Sequence, residues 1–135
     1  MIVDSSAVVA VIKAEPDHES HTTMLGSVTS PGMSAASVLE CAIVLGPRRE
    51  DEVDALIVAA GIVVIPFDAE QLAVARAAHR RYGRKSGSPA KLNYGDCMSY
   101  ALAKVSGDSL LFKGDDFTHT DIEAAWLPPD AQSAT

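Results

Sequence analysis

The chain has 135 residues, of which 47% are hydrophobic, and a formal net charge of −7. This length suits one self-supporting domain, and the acidic balance excludes a protein that coats nucleic acid without specificity. No basic segment precedes an apolar run at the N-terminus and no apolar stretch could span a bilayer, so we expect a cytoplasmic protein that contacts no membrane. We expect a single domain over residues 1–128 and a flexible C-terminal tail over 129–135.

Short apolar strands alternate with helices along the chain. Residues 1–3 predict a strand that ends at Asp4, followed by a helix to about residue 14 with Ser5 or Ser6 as its N-cap. The β-branched run at 62–65 predicts a strand buried on both faces of a parallel sheet. The alternation implies an α/β fold, an open parallel sheet flanked by helices on both faces in three layers (α/β/α). The other predicted elements are helices at 17–25, 35–45, 48–60, 68–82 and 94–106, an extended piece at 32–33, a strand at 109–112 and an edge strand at 122–127.

Four carboxylates stand at or near the ends of these elements. Asp4 ends the first strand, Glu40 is the one acid in an otherwise apolar helix, and Asp116 follows a later strand. Asp96 lies in the first turn of a helix that Asn93 can cap, where an acid can also serve simply as a capping residue. Ligands of parallel sheets bind outside the carboxyl ends of the strands, so we expect the four acids to converge. Clustered carboxylates repel one another unless cations neutralise them, and oxygen ligands suit Mg²⁺ or Mn²⁺, which indicates phosphoryl-transfer chemistry.

A cationic segment interrupts this acidic chain. No acid occurs between Gln71 and Gly95, and that stretch holds six of the eleven Lys and Arg residues. The pattern indicates a polyanionic ligand on one face, although a solvated helix face would produce it equally well. The six residues are Arg76, Arg80, Arg81, Arg84, Lys85 and Lys91.

Four segments that together span nearly the whole chain carry a family pattern. They are Ile2-Val3-Asp4-Ser5-Ser6-Ala7, Ser34-Ala35-Ala36-Ser37-Val38-Leu39-Glu40, Leu92-Asn93-Tyr94-Gly95-Asp96-Cys97 and Leu111-Phe112-Lys113-Gly114-Asp115-Asp116-Phe117. In this order they resemble the four motifs of PIN-domain ribonucleases. The resemblance is greatest to the VapC toxins of bacterial toxin–antitoxin pairs, particularly those of actinobacteria.

The resemblance implies a PIN-like fold and a Mg²⁺-dependent endoribonuclease toxin, with Mn²⁺ able to replace Mg²⁺, in which a metal-activated water hydrolyses RNA. It implies a VapB-like antitoxin and a second copy of the chain, in a homodimer, as partners. Asp116 is preferred to Asp115 because the family's acid stands directly before Phe, and Asp115 remains a candidate. The catalytic and metal-binding residues that the resemblance implies are Asp4, Glu40, Asp96 and Asp116, with Ser6 in support.

An RNA substrate gives the cationic segment a role. Because four carboxylates repel RNA, we expect the six cations to hold its backbone beside the acidic site. We expect the tyrosines in the core or at an interface, although Tyr82, next to Arg81, could touch RNA. Two alternatives remain. One is a metal-dependent phosphohydrolase of the haloacid-dehalogenase type or a receiver domain, although Ser6 stands where the former needs a second acid. The other is a catalytically silent PIN-like module that only binds a protein partner.

Overall fold

The centre of the fold is a four-stranded parallel sheet. The computed structural model describes residues 1–132, and within them the strands lie in the order β3-β2-β1-β4 with every pairing parallel. The predicted open parallel sheet is therefore confirmed. The strands are β1 (Ile2–Val3), β2 (Gly32–Ser34), β3 (Val63–Ile65) and β4 (Leu110–Leu111).

Helices cover both faces of this sheet. Over the described residues they are α1 (Ser5–Ile12), α2 (His18–Gly26), α3 (Ala35–Leu45), α4 (Glu50–Ala60), α5 (Ala69–Tyr82), α6 (Tyr94–Ser106) and α7 (Pro129–Gln132), with 3-10 turns at Pro47–Arg49 and Asp116–His119. Successive side chains of a strand point to opposite faces. Ile2 and Leu110 accordingly pack in the core formed with α5 and α6, whereas Val3 and Leu111 pack in the core formed with α1 to α4. The three layers are those predicted from the alternation of elements.

The strand order puts one strand end at the middle of the sheet. From β1 the sheet continues through β2 to β3 on one side, whereas β4 lies on the other side of β1. Ligands of such sheets bind at the carboxyl ends of the strands, where the winding direction reverses. Asp4 follows β1 directly at this point, and Ser34 ends the neighbouring β2.

The prediction that the strand at 62–65 is buried on both faces is wrong. β3 is the edge of the sheet, and Val63 and Val64 remain 50% and 44% exposed. Ile62, which precedes β3, is buried. A run of β-branched residues favours an extended backbone, but its burial depends on the elements that pack over it.

The C-terminal part of the chain contains less strand structure than predicted. The predicted edge strand at 122–127 is reduced to one parallel bridge between Leu110 and Ala124. The predicted tail begins with the single helical turn of α7, and residues 133–135 lie outside the part of the chain that the structure describes. Between residues 1 and 132, no helix is both long and apolar enough to cross a membrane.

His21 connects α2 to the end of β4. Its ring is buried, with Nδ1 2.9 Å from the Asp17 carbonyl oxygen and Nε2 3.1 Å from the Phe112 carbonyl oxygen. The same ring meets the Trp126 ring edge-on, with centroids 5.2 Å apart. These contacts support the segment that leads from β4 to Asp116.

Candidate active site

Asp4 forms the centre of the candidate site. Its side chain is 2% exposed and caps α1: Oδ2 accepts hydrogen bonds from the Ser6 backbone N–H at 3.0 Å and from the Ser6 hydroxyl at 2.6 Å. The prediction that Ser5 or Ser6 caps this helix is therefore wrong, because β1 already delivers Asp4 to the cap position. The Ser6 hydroxyl oxygen also accepts the Lys113 N–H at 2.9 Å, which fixes the segment after β4 beside Asp4.

Two buried serines that the sequence patterns did not reveal complete the surroundings of Asp4. The Ser99 hydroxyl donates to Asp4 Oδ1 at 2.5 Å, and Ser37 Oγ lies 3.1 Å from Ser99 Oγ. Both serines are at most 1% exposed, so hydroxyl groups join α3 and α6 to the end of β1. The signal in the sequence was a polar residue inside an apolar helical run, and Ser99 lies about one turn after Asp96.

Glu40 extends from α3 into the site, where its carboxylate packs against Gly95. Its Oε1 accepts a hydrogen bond from the Ser5 hydroxyl at 2.7 Å. A Cβ added to Gly95 would lie 2.5 Å from both carboxylate oxygens of Glu40, so a larger residue at this position would displace the acid. Burial raises the pKa of Glu40, the Ser5 hydrogen bond opposes this rise, and the charge of Asp4 adds to it.

Asp96 is both a helix cap and a member of the acidic group. Asn93 Oδ1 accepts the Asp96 N–H at 2.8 Å and Asp96 Oδ2 accepts the Asn93 N–H at 3.0 Å, which makes a reciprocal capping box for α6. Burial is the main cause that raises the pKa of Asp96 to about 7; the Asn93 hydrogen bond opposes it, and the charges of Asp4, Asp116 and Glu40 add to it. The capping role and the role in an acidic site therefore coexist in one side chain.

Three of the four predicted acids line one cavity. Asp4, Glu40 and Asp96 border a space of about 340 Å³, which Lys113 also lines. Asp116 is exposed and lies outside this lining, but its charge raises the pKa of Asp96. The charge of Asp115 is not among the causes of that shift.

Comparison with known proteins identifies the family. The family model described as PIN domain matches residues 1–123. The chain belongs to the PIN-domain family. Ribonuclease VapC28 of Mycobacterium tuberculosis (strain ATCC 25618 / H37Rv) is 45% identical to this PIN domain over 129 residues, which cover 93% of this chain and 97% of that protein. Ribonuclease VapC42 of the same strain is 46% identical over 129 residues, which cover 93% and 98%. Within the family, the chain therefore belongs with the VapC ribonucleases, as the four motifs predict.

Two solved structures share the fold of this PIN domain. Mycobacterium tuberculosis VapC20, described as a Sarcin-Ricin loop cleaving toxin, superposes with a TM-score of 0.74 at 16% sequence identity, over 94% of this chain and 98% of that chain. A toxin–antitoxin complex from Klebsiella pneumoniae gives a TM-score of 0.70 at 11% identity, over 94% and 98%. At identities this low, the TM-scores show a shared fold and nothing more. Family membership rests on the family model and the VapC relatives.

The acidic cavity of this PIN domain suits a divalent cation by its donor chemistry. Within residues 1–132, no three His, Cys, Asp or Glu side chains already stand close enough to form a metal-binding group. The acids that line the cavity nevertheless offer oxygen atoms alone, which hard cations such as Mg²⁺ prefer. Mutual repulsion contributes to the raised pKa values of Glu40 and Asp96, and a cation between them would relieve it.

The predicted cations divide between different surfaces. Arg81 lies with its guanidinium 4.7 Å from the centre of the Tyr82 ring and 3.8 Å from a carboxylate oxygen of Asp121. Lys91 is exposed and lines neither cavity. The four that share one surface line a second cavity, of about 780 Å³, next to α5 and α6; they are Arg76, Arg80, Arg84 and Lys85.

Tyr82 is a core residue, as expected of the tyrosines, and does not offer its ring to RNA. Tyr82 is only 7% exposed and packs in the core, with its ring centroid 5.8 Å from that of Tyr100. Tyr94, the first residue of α6, is 82% exposed and lines the second cavity. The aromatic side chain available to a ligand is thus Tyr94 rather than Tyr82.

Proposed function

We propose that this protein is a cytoplasmic Mg²⁺-dependent endoribonuclease toxin of a type II toxin–antitoxin pair, in which Mn²⁺ can replace Mg²⁺. The observation that carries the proposal is the convergence of Asp4, Glu40 and Asp96 on one cavity at the carboxyl ends of the strands. The names of the VapC ribonuclease relatives support the reaction class. The VapC20 toxin and the toxin–antitoxin complex that share the fold are consistent with the toxin role.

The acids would hold the metal, and the surrounding residues would hold the acids. When bound, the ion supplies Lewis-acid activation of water and stabilises charge on the leaving oxygen. The ligands that we assign are Asp4, Glu40, Asp96 and Asp116. Ser6 and Ser99 fix the two oxygens of Asp4, and the capping box fixes Asp96, so the oxygens of these two acids are oriented before any ion arrives. The cationic surface beside α5 offsets the repulsion between this acidic pocket and the RNA backbone.

The direct test is RNA cleavage by the purified protein with and without metal. We expect cleavage with Mg²⁺ or Mn²⁺ and its complete loss with EDTA, because clustered carboxylates have no other means to stabilise the charge of a phosphodiester. Re-addition of Mg²⁺ should restore cleavage, and circular dichroism in EDTA should show that the helices persist. Cleavage that continues undiminished in EDTA would contradict the metal-dependent mechanism.

The assignment of the fourth acid predicts unequal effects of two neighbouring substitutions. Asp116→Ala should weaken Mn²⁺ binding, measured by calorimetry, far more than Asp115→Ala, because of these two neighbours Asp116 is the one whose charge raises the pKa of Asp96. Both residues are exposed, so neither substitution should unfold the protein. The reverse ranking would transfer the ligand role to Asp115.

An exposed apolar stripe supports a protein partner close to the acidic site. Leu39, Ile43 and Val44 on α3 are 61%, 71% and 57% exposed, which is unusual for large apolar side chains on one helix. Val44 also lines the acidic cavity, so a protein bound to this stripe would stand at its mouth. We assign this surface to a VapB-like antitoxin, and we propose that the nuclease itself is a homodimer.

The proposed restraint of the toxin by an antitoxin predicts a growth phenotype. Expression of the protein alone should arrest bacterial growth, and co-expression of its VapB-like antitoxin should relieve the arrest. The Ile43→Ser variant should arrest growth equally but respond less to the antitoxin, whereas Val58→Ser, at an exposed apolar residue of α4, should respond like the parent. Unimpaired growth with folded, soluble protein would favour a catalytically silent module.

A further inference from the structure

The larger cavity next to α5 and α6 has an apolar interior. Leu72 and Phe67 line it from one side, and Met98 lines it from α6. Its volume of about 780 Å³ falls within the range of roughly 300–1,000 Å³ that is typical of pockets for small ligands. Tyr94 offers an exposed aromatic ring, and Leu72 is 47% exposed, so the apolar surface is open to solvent.

Positive charge borders this apolar surface. Arginine and lysine side chains of α5 and of the loop that follows it line the cavity, and among the described residues that line it none is acidic. The whole chain carries a net charge of −7, so this concentration of cations is not a general property of its surface. A ligand that matches the cavity combines a flat apolar group with anionic groups.

The cavity is adjacent to the candidate active site. Asn93 lines both the apolar cavity and the acidic cavity. Its neighbour Tyr94 lines the first, and Asp96, which Asn93 caps, lines the second. A strand that extends past Asn93 would therefore pass from one space to the other.

We propose that the apolar cavity is a base-binding subsite, which takes one unstacked base of the RNA strand close to the scissile phosphodiester. This inference rests on the proposed ribonuclease function. The base stacks on Tyr94 and packs against Leu72 and Met98, while Arg76 and Arg80 contact the flanking phosphates. Single-stranded RNA is recognised in this way, by aromatic stacking of splayed bases within a positively charged groove.

The test measures the contribution of individual bases to binding. Short single-stranded RNAs are compared with versions in which one base at a time is removed, leaving ribose and phosphate, and all are bound to the uncleaving Asp96→Asn protein. We expect removal of one base near the cut site to weaken binding about tenfold, because each stacked base contributes substantially to affinity. In a background that also carries Tyr94→Ala and Leu72→Ser, intact and abasic RNAs should bind equally.

A matched control separates the subsite from a loss of exposed apolar surface in general. Val58→Ala removes an 81% exposed apolar side chain on α4, and this variant should retain the full preference for the intact RNA. The salt dependence of binding should be the same in all of these proteins, because the cations are unchanged. Thermal melting should confirm that the exposed substitutions leave the fold intact.

Two results would overturn the inference while leaving the ribonuclease function standing. The first is an enzyme that cleaves RNA and yet binds every abasic RNA as tightly as its intact parent RNA. The second is a Tyr94→Ala/Leu72→Ser protein that keeps its preference for the base but changes from dimer to monomer in sedimentation, which would assign the cavity to a second copy of the chain. If the parent protein neither binds nor cleaves any RNA, the proposed function fails, and the subsite fails with it.

Discussion

Asp96→Asn should abolish RNA cleavage and leave the fold intact. Substitutions of residues that hydrogen-bond to a metal ligand typically reduce metal affinity or activity about 10–100-fold. Loss of the ligand itself should therefore reduce cleavage at least about 100-fold. The helix cap survives, because an asparagine side-chain oxygen can still accept the Asn93 N–H that Asp96 accepts at 3.0 Å. Asp4→Asn should abolish cleavage in the same way. The fold should again persist, because the side-chain carbonyl oxygen of asparagine can still cap α1.

Asp96→Asn should also stabilise the metal-free protein at neutral and alkaline pH. Asp96 has a pKa of about 7 in the folded protein, against an ordinary value of 3.8. Between these two values the native state holds a proton that the unfolded state has released, so the free energy of unfolding falls as pH rises through this window. Asp96→Asn removes that loss. Its melting temperature in EDTA should therefore be at least that of the parent above pH 7, and the difference should be smallest below pH 4.

Asp54→Asn is the matched control for this experiment. Asp54 is an exposed acid of α4, and its replacement removes one negative charge without touching the acidic cavity. Cleavage and its Mg²⁺ dependence should be those of the parent. Retained cleavage by Asp96→Asn at saturating Mg²⁺ would exclude Asp96 from the catalytic site.

Replacement of Arg76, Arg80 and Arg84 by Gln should weaken binding to all RNAs alike and flatten its dependence on salt. Phosphate contacts position the strand without reading its sequence. Each contact to single-stranded nucleic acid contributes about 0.7 to the slope of log affinity against log salt, so loss of three contacts should reduce this slope by about 2. Metal affinity should change little, because these arginines line a different cavity from the acids.

Arg81 supplies the matched control within the same helix. It carries the same charge but faces Asp121 and the Tyr82 ring, so Arg81→Gln should leave the salt slope nearly unchanged. The parent, the triple variant and the Arg81→Gln variant are all measured in the Asp96→Asn background to prevent cleavage during titration. Equal slopes for the triple variant and its parent would show that this surface is a solvated face or a partner interface instead of an RNA-binding surface.

The sequence by itself determined the positions of Asp4 and Asp96, because the signals are local. A strand that stops at an acid and a helix capped by Asn93 are both patterns of neighbouring residues, and they remain in the folded protein. The alternation of strands and helices also predicted the parallel sheet, since parallel strands require crossover connections. A sheet of this kind gathers the strand ends at one edge, which explains why acids far apart in sequence were expected to converge.

Only the tertiary structure decided which side chains support and border the site. Ser99 reaches Asp4 across 95 residues and Ser37 lies beside Ser99 across 62, and no local pattern encodes such pairs. The burial of β3 was mispredicted for the same reason, because strand order is set by packing of distant elements. Similarly, the packing of α5 against α6 buries Tyr82, while Tyr94 at the start of α6 remains exposed. Periodicity and caps depend on residues within a turn or two, whereas burial and hydrogen-bond partners depend on contacts that form only when the whole chain packs.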